Sequence, residues 1–301
     1  MERIGIIGIG NMGMGMAKNL LKKGFNLTAY DLRQEPLKEI AGLGARIAKS
    51  PREVGEQSEI VFTMVLNGAQ VKEVVLGKQG LMEGMKRGST LICTATIMRS
   101  ELIEVAKAVS AKGINVIDSP VSGGQPGAAA GTLTMMAAGK KDVLERCKGV
   151  LEAVGKNIYH VGEEVGMGQT VKGALAALIG STYGGIFEAL VLGTKAGVKP
   201  EILYNVISTS MAGSALFKDT AKHIMARHFK GAGACIQTMY KDLGITLSMA
   251  RDSGVPMFTT SAAYQLFQAG KSLRPEEDNW TIIKILEEIA ATEVKGTLPS
   301  D

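Results

Sequence analysis

Arg3-Ile-Gly-Ile-Ile-Gly-Ile-Gly-Asn-Met-Gly13 sets three glycines, Gly8, Gly10 and Gly13, at the end of an apolar run carried by Ile4, Ile6, Ile7 and Ile9. A helical pattern follows from Met12 to Lys23, and then a second strand from Phe25 to Tyr30 that ends in Asp31. A GxGxxG string alone is a weak signal. Placed between a strand and a helix, with an acidic residue after the second strand, it is a dinucleotide-binding fingerprint. Gly8 permits the tight turn, Gly10 lets the backbone approach a pyrophosphate, and Gly13 lets helix and strand pack closely. Asn11 and Met12 stand at the helix start, where unpaired N–H groups face the phosphates. A carboxylate at Asp31 is placed to accept both ribose hydroxyls and to repel a 2′-phosphate, which favours NAD. Arg33, a cation two residues on, keeps NADP possible. The plainer reading of Asp31 is a turn residue after a strand.

Strands and helices alternate outward from this unit. Strands are expected at Arg3 to Ile9, Asn26 to Tyr30, Ile60 to Met64, Thr90 to Cys93, Asn115 to Asp118, Leu133 to Ala138 and Ile158 to Val161. Helical periodicity lies between them, most clearly at Ser100 to Lys112 and Lys141 to Val154. The pattern predicts an α/β Rossmann domain with a doubly wound, mostly parallel sheet over residues 1–162. Past Gly162 the strands stop. Gly166-Met-Gly opens a long apolar helix from about residue 167, followed by helices at Pro200 to Ile207, Ser214 to His228, Thr238 to Ser253, Pro256 to Ala269 and Glu276 to Ala291. The prediction for residues 163–301 is an all-α domain, joined through the long helix, with a frayed tail from Lys295 to Asp301.

The 301 residues suffice for two substantial cores, and an apolar fraction of 46% is that of a globular chain. Lys and Arg number 34 against 29 Asp and Glu, a net charge of +5. The cations are scattered without interleaved aromatics, which argues against nucleic-acid binding. Lys218, Lys222, Arg227 and Lys230 read as a solvated helix face. Cys93, Cys147 and Cys235 have no metal-ligand spacing and read as buried thiols of a reducing compartment. No metal is expected. A strand beginning at residue 3 leaves no room for a signal peptide, and the cytoplasm is the expected location. Gly173 to Gly193 is apolar enough to resemble a membrane span, but a buried spine of a soluble protein fits it better.

Two further stretches carry chemistry. Asp118-Ser-Pro-Val-Ser-Gly-Gly-Gln-Pro-Gly-Ala-Ala-Ala-Gly-Thr-Leu-Thr-Met135 follows a buried strand at the carboxyl edge of the sheet, where open α/β proteins hold their ligands. The amides of Ser122, Gly123 and Gly124 are suited to a concave anion nest, and the Ser122 hydroxyl adds a donor for a carboxylate. Lys172 falls in the first turns of the long helix. The positive end of the helix dipole and apolar neighbours both favour its neutral amine, as a proton-trading group requires. Taken alone, Lys172 reads as a solvated lysine at a helix start.

In this order the elements resemble the β-hydroxyacid dehydrogenase family, over nearly the whole chain. The motifs are Gly8-Ile-Gly-Asn-Met-Gly-Met-Gly-Met-Ala-Lys-Asn-Leu20, the stretch from Asp118 to Met135, Gly166-Met-Gly-Gln-Thr-Val-Lys172, and Lys241-Asp-Leu-Gly244. The resemblance implies that Lys172 is the catalytic acid/base and that Ser122, Gly123 and Gly124 hold the substrate carboxylate. It also implies that Asn67, Thr96 and Lys241 reach the cofactor, and that the protein is a homodimer or homotetramer. Two positions depart from the family pattern. Ala176 stands one turn after Lys172, where an Asn is usual, and Cys93-Thr-Ala-Thr96 replaces Asp-x-Ser-Thr, keeping only the last Thr. The expected activity is NAD(P)-dependent hydride transfer on a small β-hydroxy acid or its semialdehyde. The alternatives are an imine reductase-like enzyme, which retention of Lys172 disfavours, and a nucleotide-binding scaffold without turnover.

Overall fold

The computed structural model describes residues 2–297, and the chain divides into two compact units, Met1–Lys172 and Gly173–Asp301. The end of the expected C-terminal tail lies outside the described residues.

Among its described residues the first unit carries nine strands: β1 (Arg3–Ile7), β2 (Asn26–Tyr30), β3 (Arg46–Ile47), β4 (Ile60–Thr63), β5 (Thr90–Cys93), β6 (Asn115–Asp118), β7 (Val121–Ser122), β8 (Leu133–Ala138) and β9 (Gly155–Gly162). They form one sheet in the order β3-β2-β1-β4-β5-β6-β8-β7, with β9 also paired to β8. Pairing is parallel from β3 through to β6, antiparallel where β8 meets β6 and β7, and parallel again between β8 and β9. Every residue of β4 and β5 is buried, as the unbroken runs Ile-Val-Phe-Thr and Thr-Leu-Ile-Cys require of strands covered on both faces.

Register sorts the side chains into two cores. Ile6, Phe62, Ile92 and Ile117 are cross-strand partners and fall in one apolar cluster, with Met16 and Leu20 of the helix Asn11–Lys22. Their neighbours Val61, Leu91 and Val116 point the other way, into a cluster with Val54, Val71, Leu102 and Val105. Chain order reverses at β1, which lies between β2 and β4. The crevice beyond the carboxyl ends of β1 and β4 is therefore the topological switch point, where such sheets take their ligands.

Some local expectations are corrected. Two-residue β3 and β7 are too short to show a period and were not foreseen. The segment Lys141 to Val154 is two helices, Lys141–Arg146 and Lys148–Val154, meeting at Cys147. Gly124–Ala130 is a helix inside the stretch read as an anion loop, hidden by its glycines and Pro126.

The second unit is helical. The helix Met167–Lys195 begins in the first unit and continues into the second, followed by Pro200–Thr209, Ala215–Met225, Ile236–Asp252, Phe258–Leu273 and Ile283–Ala290. Phe187, Leu190, Phe217, Ile224, Leu243, Phe267 and Trp280 form its core. The expected helix from Glu276 begins only with the 3-10 turn Asn279–Ile282, because Asp278 is engaged by the amides of Ala232 and Gly233 at 3.0 Å each.

The long helix is not the fully buried spine the sequence suggests. Its length and composition would suit a membrane span, and Leu178 and Leu192 are 67% and 72% exposed. Arg227 does not lie on a solvated face. Its guanidinium grips buried Glu287 at 2.6 and 2.9 Å and donates to the Val294 carbonyl oxygen at 3.2 Å. Cys93 and Cys147 are buried free thiols, whereas Cys235 is half-buried, with Sγ 3.1 Å from Thr238 Oγ1.

Candidate active site

The glycine turn is built as its spacing requires. Gly8 adopts φ +94°, closed to most side chains, and its amide donates to the Tyr30 carbonyl oxygen at 3.0 Å. A Cβ on Gly13 would overlap the Gly8 carbonyl oxygen, so helix and turn touch through bare backbone. Gly10 caps the helix Asn11–Lys22 and its carbonyl accepts from Met14 N at 2.8 Å. The amides of Asn11, Met12 and Gly13 are thus left at the open end of the helix, facing any phosphate that binds there. A Cβ on Gly10 would meet only the Arg33 guanidinium, at 3.6 Å, so the backbone here is open to close approach. These residues fit the pyrophosphate of a dinucleotide.

Asp31, 8% exposed at its side chain, accepts from Ile9 N at 2.7 Å through Oδ2. Arg33 reaches the same carboxylate three times: N to Oδ1 at 2.9 Å, Nε to Oδ1 at 3.0 Å and Nη2 to Oδ2 at 3.1 Å. Burial alone would raise the Asp31 carboxyl. The Arg33 guanidinium and the Arg33 and Ile9 amides outweigh burial and hold it below the usual carboxylate range.

Asn67 accepts from Gln70 N at 2.9 Å and so caps the helix Gly68–Leu76, a structural task that sequence reading does not assign to it. Thr96 is half-buried just beyond β5, between Ala95 and Ile97, both buried.

Lys172 Nζ donates to the Val121 carbonyl oxygen at 3.0 Å, so the side-chain nitrogen rests on β7 immediately before Ser122. Ser122 pairs with Thr134 of β8. Gly123 and Gly124 follow with φ +127° and +59°, positions that only glycine occupies readily, and turn the chain into Gly124–Ala130. The first unit thereby brings together the lysine and the stretch read as carboxylate-binding. Lys241 belongs to the second unit, on the helix Ile236–Asp252, where Nζ lies 2.9 Å from Asp242 Oδ1. Ala176 is buried at 3% exposure.

Three supporting residues escape a motif-based reading. Asn19 Nδ2 donates to the carbonyl oxygens of Ala128 at 2.8 Å, Gly15 at 3.0 Å and Ala129 at 3.2 Å. A Cβ on Gly15 would lie 2.6 Å from the Ala128 carbonyl carbon. The dinucleotide helix is therefore fastened directly to the Gly124–Ala130 helix. Asp118, wholly buried, accepts from the amides of Gly166 at 2.8 Å and Gln169 at 3.2 Å. Burial pushes its carboxyl up to about 6 against the pull of the Gln169 side chain and of the Gln169, Gly166 and Gly168 amides. The same burial, with the Asp118 charge beside it, pushes the Cys93 thiol up to about 12. The signals were present in Asn19 and Gln169, polar residues within otherwise recognised motifs, but their partners lie far off in sequence.

Residues 3–162 match the NAD-binding domain of 6-phosphogluconate dehydrogenase, and residues 166–286 match the NAD-binding domain model of NADP-dependent 3-hydroxyisobutyrate dehydrogenase. Fold and matches define an NAD(P)-binding Rossmann protein with a helical C-terminal domain. The chain is 36% identical over 296 residues to 2-(hydroxymethyl)glutarate dehydrogenase of Eubacterium barkeri, covering 98% of each chain. It is 35% identical to L-threonate dehydrogenase of Cupriavidus necator, over 94% of this chain and 96% of that one. A crystal structure of 3-hydroxyisobutyrate dehydrogenase from Salmonella typhimurium superposes with a TM-score of 0.85 at 31% identity, covering 95% of this chain and 100% of the other. The chain belongs to the β-hydroxyacid dehydrogenase family.

Proposed function

We propose that this protein transfers hydride reversibly between NAD, or NADP, and a small β-hydroxy acid or its semialdehyde. Residues 1–162 form the dinucleotide domain and 163–301 the domain for substrate and oligomerisation. The observation that carries the reading is the 3.0 Å contact of Lys172 Nζ with the Val121 carbonyl, which sets the lysine nitrogen beside the Ser122 turn, where its neutral amine form has a lone pair for a proton. In this reading Ser122, Gly123 and Gly124 hold the substrate carboxylate, and Lys172 takes the hydroxyl proton on oxidation and returns it on reduction. Gly8, Gly10, Asn11, Met12 and Gly13 seat the pyrophosphate, Asp31 takes the ribose, and Asn67, Thr96 and Lys241 complete the cofactor site. A bound nicotinamide ring supplies the hydride acceptor. The chain's own contribution is positioning and proton transfer, since the reacting carbon must be held near contact distance with its hydroxyl on Lys172. In this reading the protein works in the cytoplasm as a homodimer or homotetramer.

The test is NAD(P)-linked oxidation screened over 3-hydroxyisobutyrate, 2-(hydroxymethyl)glutarate, L-threonate, glycerate and 4-hydroxybutyrate. One of these acids is expected to be turned over well ahead of the rest. Absence of turnover on all five, with NADH bound, would leave the nucleotide-binding scaffold in its place.

A further inference from the structure

A single side chain, Gln169, joins three segments of the first unit. Its Nε2 donates to the Ala95 carbonyl oxygen at 3.1 Å and to Asp118 Oδ1 at 2.8 Å, while its Oε1 accepts from Ile97 N at 3.1 Å. Both amide hydrogens and the carbonyl are engaged, so the amide has one orientation and no competing one. Ala95 and Ile97 are the residues on either side of Thr96. Lys172 lies three residues beyond Gln169, on the same face of the helix Met167–Lys195.

Asp118 braces the arrangement from beneath. It closes the end of β6, and its carboxylate takes the Gly166 and Gln169 amides at the start of that helix as well as the Gln169 side chain. A Cβ on Gly168 would lie 2.9 Å from the Asp118 carboxyl carbon and 2.5 Å from the Met136 carbonyl oxygen, so the glycine between Met167 and Gln169 is what lets the carboxylate close in. Gln169 is 1% exposed and Asp118 wholly buried. A buried carboxylate met by these neutral donors is costly to keep, and its cost is offset only if its hydrogen bonds are made.

We infer that Gln169, braced by Asp118, is a positioning residue that fixes the Thr96 segment and the Lys172 turn in one arrangement, so that proton acceptor and nicotinamide site meet the substrate in register. The inference rests on the roles proposed above for Lys172 and Thr96. A clamp of this kind acts on the reacting geometry and leaves the Gly8–Gly13 phosphate turn alone. Misplacement of a reacting group by about 1 Å costs on the order of 100-fold in rate, so loss of the clamp should be read in kcat.

Gln169→Met keeps the volume and removes all three hydrogen bonds. Gln169→Glu keeps an acceptor for Ile97 and turns a second one toward Asp118; it replaces the Met variant if that one does not fold. On the best substrate of the panel, kcat is expected to fall on the order of 10–100-fold, with the KM for the dinucleotide held within about twofold. Amide exchange at Ile97 should be slow in the wild type and about tenfold faster or more in Gln169→Met. A lowered melting temperature with kcat of the folded variant within about twofold of wild type would assign Gln169 a merely structural role and overturn the inference. Rapid exchange at Ile97 in the wild type, or unchanged exchange in Gln169→Met, would overturn it as well. If the wild type turns over none of the acids, the proposed function fails by itself, and the exchange comparison alone decides whether the clamp exists.

Discussion

The Asp31 carboxylate has its lone pairs in use, by Ile9 N and by three donors of Arg33. A ribose bound there must displace the guanidinium, whose side chain is 59% exposed and held by a pair of little net worth in water. In the role proposed for Asp31, Arg33 is then released beside the ribose 2′ position. Asp31→Asn removes the repulsion while keeping Arg33, so the ratio of kcat/KM for NADP over NAD should rise by about tenfold or more, measured with both cofactors on one substrate. A wild type that already uses the two equally would contradict Asp31 as the discriminating residue. In the role proposed for Ser122 the lost group is one donor to a charged carboxylate, worth about 1.5–3 kcal/mol, so Ser122→Ala should raise the substrate KM by about 10–100-fold. A collapsed kcat at unchanged KM would exchange the roles of Ser122 and Lys172. At this scale the legible residues were those whose type is dictated by a local motif, such as Gly8 in its left-handed turn and Gly13 against the Gly8 carbonyl. Gln169 was not legible, because its partners Ala95 and Ile97 lie more than seventy residues away and only the folded sheet brings them to it.

Most strands were readable because parallel strands buried on both faces are short unbroken apolar runs between turn residues, as in Ile60–Thr63 and Thr90–Cys93. The helix Gly124–Ala130 was not, since Gly124, Pro126 and Gly127 carry poor helix propensity and tertiary packing against Gly15 and Asn19 holds it. Gly15→Ala drives a Cβ toward the Ala128 backbone and should cost about 1–3 kcal/mol in urea unfolding, because two helix backbones must separate. An unchanged midpoint would show that the two helices are not in close contact. The helix beginning at Met167 is tied to β6 by Asp118, whose carboxyl titrates near 6 when folded against 3.8 for the free group. The folded chain therefore binds this proton more tightly than the unfolded chain, and the contribution of Asp118 to stability falls as pH rises from about 4 to about 6. Asp118→Asn cannot ionise. The stability difference, wild type minus variant, should decline across that window by a few kcal/mol, on the order of the shift itself, and a pH-independent difference would refute the burial argument.

Over the whole molecule, the order of motifs identified the family, while the sequence hid how much of the long helix faces solvent. Its apolar residues look alike in sequence, yet Phe187 and Leu190 enter the core and Leu178 and Leu192 do not. A homo-oligomer that covers the exposed leucines is the expected state in solution. Leu192→Arg should weaken it, as a shift in sedimentation toward the monomer; an unchanged assembly would place the interface elsewhere.

Lys172 is the proposed proton acceptor, and its decisive test is kcat of Lys172→Ala on the best substrate of the panel, measured beside NADH affinity. Loss of the proton acceptor should lower kcat by about 10²–10⁴, the usual worth of general acid/base catalysis, while NADH binds as before at the Gly8–Gly13 turn. Lys172→Arg should fail almost as badly, since a guanidinium does not release its proton in this pH range. Wild-type turnover in Lys172→Ala would contradict the mechanism.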